Sequence, residues 1–265
     1  MLRKLIKYDF MSLHKVFIPL WIAFVAVSML NRLTAWGFLG RESVFGNIVS
    51  GVSIFAYVLM MIALNGIGVI LVIQRFYTGL LKDEGYLMFT LPVKPWQHII
   101  SKGITATVLL SVNALLSMLS VLLLAASEEV FALINQGLGF LREQGFSITW
   151  LGVLVFFVLL TSTVKSLYQI YASIALGHLA PKHRAGWAFG AYIGISIVLS
   201  VIASIFGSVL AFAGVNGWLT TTFNNVSPPR LVDTVLWFAI VLNMVQIVGF
   251  FVIPERILSK KLNLE

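Results

Sequence analysis

Few residues in this sequence can do chemistry, and the most conspicuous is a lysine in an apolar setting. Lys165 is the only charged residue deep within an apolar run, here residues 150–176. At the centre of a membrane helix a lysine costs about 2.5 to 3.5 kcal/mol on insertion scales, so it is not expected to face lipid. Thr161, Ser162, Thr163, Ser166, Tyr168 and Gln169 surround it in sequence. Lys165, Thr161 and Gln169 are therefore candidates to line a solute pathway. A lysine that snorkels to the bilayer edge with hydroxyls as local partners explains the same pattern, and the sequence leaves both open. Asp9 is the second unusual charge, since it interrupts an apolar arc; it either pairs with a neighbouring cation or faces another protein.

Other chemistries are excluded by residue type. There are no cysteines, so no thiolate metal site, disulfide or cysteine nucleophile exists. No G-x-x-x-x-G-K-[ST] loop is present for ATP, and no H-E-x-x-H for a zinc protease. None of the ten acidic residues falls well inside an apolar run, so a proton relay or sodium site built on a buried carboxylate is hard to assemble. Glu128 and Glu129 lack an arginine at the spacing a catalytic glutamate pair would need. His14, His98, His178 and His183 are not spaced as metal ligands and read as interfacial residues.

The elements that must position these residues are membrane spans. The 265 residues are 59% hydrophobic and only 11% charged, against about 25% charged in soluble domains. Six apolar segments stand out, at approximately 16–36, 48–74, 101–126, 150–176, 186–213 and 232–253, each long enough for about 30 Å of hydrocarbon. The expected fold is an all-α membrane protein, residues 1–265 forming a single transmembrane domain in the lipid bilayer. Trp21 and Trp36 read as interfacial anchors of a first span that is not a cleaved signal.

Lysine and arginine placement sets the expected orientation. Thirteen of the eighteen lie in the N-terminal stretch, the second and fourth loops and the tail; Arg32, Arg41, Arg142 and Arg230 lie on the opposite side, and Lys165 lies within a span. Both termini are thus expected in the cytoplasm. This topology also accounts for the net charge of +8, and no basic segment interleaved with aromatics points to nucleic acid. In residues 1–15, Leu2, Leu5, Ile6, Phe10 and Leu13 share one helical arc and Arg3, Lys7, His14 and Lys15 another, so an interfacial amphipathic helix is expected there.

The connection between the second and third spans, residues 75–100, is too apolar for a solvated linker. Leu80, Leu81, Tyr86, Leu87, Met88, Phe89 and Leu91 need cover, and Pro92 and Pro95 end one short helix and start the next. The stretch either re-enters the headgroup region or docks on a protein. Arg75, Glu84, Gly85, Leu91, Pro92 and Lys102 follow one another in an order that resembles ABC-2 type transporter permeases. The six-span layout and N-terminal interfacial helix are similar too.

The resemblance implies the permease subunit of a bacterial ABC exporter in the cytoplasmic membrane. In that family this loop holds the coupling helix, seated in a groove of a separate cytoplasmic ATPase. Lys82, Asp83, Glu84, Gly85, Leu87, Leu91, Pro92 and Trp96 would then make the contact. It further implies that ATP and Mg are bound by the ATPase, that this chain binds no cofactor and is not an enzyme, and that a second permease copy completes the pathway, as homo- or heterodimer. The substrate would be a peptide, drug or lipid. Lys94-Pro95 departs from the serine cap of many relatives, which leaves the start of the coupling helix unassigned.

Gly186, Gly190 and Gly194 in the fifth span are four apart, and Ser196, Ser200, Ser204 and Ser208 continue the spacing on a neighbouring ridge. Such rows let helix backbones approach closely, either within one subunit or at the dimer interface. Two rival functions stand beside the exporter: a secondary transporter, disfavoured by the missing carboxylates and the lack of obvious inverted repeats or broken helices, and a non-transporting assembly or sensing protein.

Overall fold

The computed structural model describes residues 2–35, 44–81, 93–215 and 227–260, and everything below concerns those residues. Seven helices account for nearly all of them: α1 Leu2–Ala35, α2 Val44–Leu81, α3 Pro95–Ala125, α4 Glu128–Glu143, α5 Ile148–His178, α6 Arg184–Val215 and α7 Pro228–Lys260. Six of them, all but α4, are long and apolar enough to cross a membrane. Each covers one of the apolar segments read from the sequence, to within a residue at the shorter end. The protein is a multi-pass helical membrane protein.

No linker in the sequence marks a division, yet the chain forms two compact units, Met1–Gln136 and Gly137–Glu265. In the first, α1, α2 and α3 all pack on one another. Asp9 meets residues 101 and 102, Trp21 meets Asn113, and Arg32 meets Leu124, so α1 and α3 run parallel. Tyr57 meets Ser120 and Asn65 meets Ser117, so α2 runs against α3. Lipid tails are as apolar as the side chains, so burial alone cannot hold such helices together; packing and interhelical hydrogen bonds must. Both are present here. Phe24, Tyr57 and Leu64 form one core cluster and Leu13, Phe17 and Leu109 another, with the Phe24 and Tyr57 rings stacked at 5.9 Å. The Trp21 indole N–H donates to Asn113 Oδ1 at 2.5 Å, and Asn31 Nδ2 donates to the Ser53 carbonyl at 2.8 Å. Trp21, expected as an interfacial anchor, is instead an interhelical donor; Trp36 lies outside the described residues.

The second unit is built around α5. Asn243 on α7 donates to Thr161 and Ser162, and Phe251 meets the Tyr168 ring, so α7 runs parallel to α5. Gln169 donates to Ser196, and Gly177 abuts Ala188, so α6 runs antiparallel to it. Both units thus share an up–down–up order with the first helix as hub.

The N-terminal stretch departs from expectation. Residues 1–15 were expected to form a separate interfacial helix, but α1 runs unbroken through Pro19 to Ala35. The reason is one continuous packing stripe: Asp9, Leu13, Phe17, Phe24, Ser28 and Asn31 are all buried, at helical spacing. Phe10, which shares the apolar arc, points out of this stripe and is exposed. At 1.5 Å per residue the helix is about 50 Å long, some 20 Å more than the hydrocarbon layer.

Candidate functional site

Lys82, Asp83, Glu84, Gly85, Leu87, Leu91 and Pro92 lie outside the described residues. What is described is the pair of helices, α2 and α3, that flank residues 82–92. Arg75 lies near the end of α2, and α3 begins with Pro95 in its first turn and Lys94 at the capping position. Proline suits that position because its missing N–H has no partner in a first helical turn anyway. Trp96, in the same turn, is half-buried.

Asp9 gathers the end of α2 and the start of α3. Its carboxylate accepts a hydrogen bond from Ser101 Oγ at 2.7 Å and lies 3.4 Å from both Arg75 Nη2 and Lys102 Nζ. Asp9 is 4% exposed and Lys102 3%. Three elements therefore meet at one buried carboxylate. Of the two alternatives for Asp9, pairing with a cation is the one observed. Arg75 and Lys102 are also the two basic residues that bracket the family-like pattern. Breaking a buried ion pair typically costs about 3 to 5 kcal/mol, so the carboxylate is a strong constraint on how α2 and α3 emerge beside each other. Gly79, one turn beyond Arg75, belongs to this site: a Cβ there would meet Lys102 Nζ at 2.7 Å. Sequence reasoning missed Gly79, and its spacing of four from Arg75 was the available signal. His98, read as interfacial, is buried next to the cluster in the first turns of α3.

Thr161, Lys165 and Gln169 sit four apart on α5 and form one ridge. Thr161 is buried and accepts from Asn243 Nδ2 of α7 at 3.2 Å; Ser162 accepts from the same amide at 3.0 Å. Gln169 is buried and donates to Ser196 Oγ of α6 at 2.9 Å. Both flanking residues thus crosslink helices. Lys165, half-buried between them, makes no hydrogen bond or ion pair among the described residues. Asn65, Asn113 and Asn243 are interhelical hydrogen-bonding residues, as their amides suggest, whereas Gln246 Oε1 is buried without a partner.

The small-residue ridge of α6 is open. A Cβ added at Gly186, Gly190 or Gly194 would touch nothing within 4 Å, and Ser200 and Ser204 are exposed. The close helix approach in this unit is elsewhere: a Cβ on Gly177 would collide with the Ala188 backbone. Tyr192, Ile193, Ser196, Ile197, Ser200, Val201 and Ser204 line a shallow open groove along α6.

No protein-family model, curated protein or solved structure matches the chain.

Proposed function

We propose that this chain is the permease subunit of an ABC exporter, coupled through residues 82–96 to a separate cytoplasmic ATPase that binds ATP and Mg. The observation that best supports this reading is the Asp9 cluster. A loop that transmits force between a soluble motor and membrane helices needs ends that move together. One buried carboxylate shared by Arg75, Ser101 and Lys102 supplies that rigidity. The order of Arg75, Glu84, Gly85, Leu91, Pro92 and Lys102 supplies the resemblance.

In this reading both termini are cytoplasmic, and the membrane is a bacterial cytoplasmic membrane. Lys165 contributes to the pathway, with Thr161 and Gln169 holding the helices on either side of it. A second copy packs on the open ridge of Gly186, Gly190 and Gly194. The test is affinity purification in mild detergent. A P-loop ATPase in stoichiometric amount is expected, and Glu84→Lys or Leu87→Lys should abolish stimulation of its activity, because a misplaced charge at a docked surface costs several kcal/mol. Purification without any P-loop protein overturns the reading.

A secondary transporter is favoured by one observation: each unit places three helices up–down–up around its first helix, so the two repeat one internal arrangement. Against it stand the unbroken described spans and the lack of a carboxylate beside Lys165. Uptake or efflux driven by an ion gradient in vesicles without ATP is the result that would favour it.

A further inference from the structure

α4 was not foreseen in the sequence, where it falls between the third and fourth apolar segments. Its ends are specified locally. Ser127 caps the start, accepting from the Val130 N–H on its hydroxyl at 3.3 Å and from the Phe131 N–H on its carbonyl at 3.0 Å. Glu128 and Glu129 occupy the first turn and Arg142 the last, as the helix dipole prefers. Gly145 ends it at φ +84°, with Gly145 N–H on the Arg142 carbonyl at 2.9 Å and Phe146 N–H on the Leu141 carbonyl at 3.0 Å.

This locally specified helix has no buried residue. Its surface nevertheless divides cleanly. Val130, Phe131, Ile134, Leu138 and Leu141 fall on one arc, while all four charged residues, with Asn135 and Gln136, fall on the other. Phe131 is 56% exposed and Phe140, at the margin of the apolar arc, 61%. Water is a poor solvent for such an arc. The connections decide what covers it: α4 starts three residues after α3 ends at Ala125 and stops five residues before α5 begins at Ile148. Both neighbours cross the membrane, so both ends of α4 are held at the bilayer edge. The helix is too short and too charged to cross.

We propose that α4 is an in-plane membrane helix, its Phe131–Ile134–Leu138 arc sunk into the leaflet at the end of α3 opposite the Asp9 cluster. By the distribution of lysine and arginine this is the outer leaflet. Such a helix fixes the depth of the ends of α3 and α5. The inference is independent of the exporter reading, because it concerns lipid contact alone.

The chain has no cysteine, so any introduced one is the sole reporter. Phe131→Cys and Ile134→Cys on the apolar arc, and Ala132→Cys and Gln136→Cys on the polar arc, are labelled with an environment-sensitive fluorophore. The purified full chain is then reconstituted into phosphatidylcholine vesicles at low protein content. Quenching by brominated lipid relative to aqueous iodide should be at least about 3-fold greater at 131 and 134 than at 132 and 136. Equal ratios at the two pairs would place the helix off the membrane. Shielding of 131 and 134 from both quenchers would mean that protein covers the arc. Either outcome overturns the proposal.

Discussion

The two three-helix units follow the same order but are held together differently. In the first, every helix packs on both others, and polar crosslinks run along its length: Asp9 with Arg75, Ser101 and Lys102 at one end, Trp21 with Asn113 midway, Arg32 with the Leu124 and Ala126 carbonyls at the other. In the second, α5 meets α6 through Gln169 and the close Gly177–Ala188 approach and α7 through Asn243 and the Tyr168–Phe251 rings, with no ion pair among the described residues, and α6 leaves a face of glycines and serines uncovered. The contrast is between a braced unit and an open one. Where the helices of a membrane protein carry buried ion pairs, they are locked by the cost of separating charges without water. Where they carry small residues and isolated amides, close packing holds them and each polar crosslink adds only about 0.6 kcal/mol on average.

The largest effect that can break this comparison is at Asp9. Asp9→Ala removes the buried carboxylate that Arg75, Ser101 and Lys102 share and should cost about 3 to 5 kcal/mol, read as early thermal unfolding in detergent. A variant as stable as the parent would show that the first unit is not braced by this carboxylate. Next come two glycines that look alike in sequence. Gly177→Leu should destabilise the α5–α6 contact by roughly 1 to 3 kcal/mol or more through overpacking. Gly190→Leu should leave the fold of one chain intact yet disrupt the proposed pairing of two copies, read by molecular mass in detergent. If Gly190→Leu leaves assembly unchanged as well, no close-packed partner sits on α6.

Smaller effects test how loosely the second unit is tied. Asn243→Leu removes the amide that bridges α7 to Thr161 and Ser162, and should cost about 0.6 kcal/mol, the average for such bonds in membranes. A loss several times larger would make the second unit as rigidly crosslinked as the first. Lys165→Met should leave thermal stability unchanged within about 1 kcal/mol or raise it, because an apolar group of similar volume replaces an unpaired charge. If the chain couples to an ATPase as proposed, stimulation of that ATPase should nevertheless change. Loss of folding with loss of activity would instead make Lys165 a structural residue.

Composition and periodicity alone determined that this is a helical protein with six spans, because some twenty consecutive apolar residues have no other stable form in a bilayer. They also marked Asp9, Lys165 and the amides as residues needing partners, since a polar group in an apolar run is costly wherever it lies. Which partners those are was a matter for the tertiary structure alone. Asp9 meets residues 66 and 93 positions away, and no helical periodicity reports such distances. The same physics decided between Gly177 and Gly190, identical in type but not in neighbour. It also joined residues 2–15 to the first span, because a stripe from Asp9 to Asn31 becomes continuous only when α2 and α3 are there to cover it. Local signals did specify α4, through Ser127, the glutamates and Gly145. They went unread because a short capped helix buries nothing and so leaves no apolar run to notice.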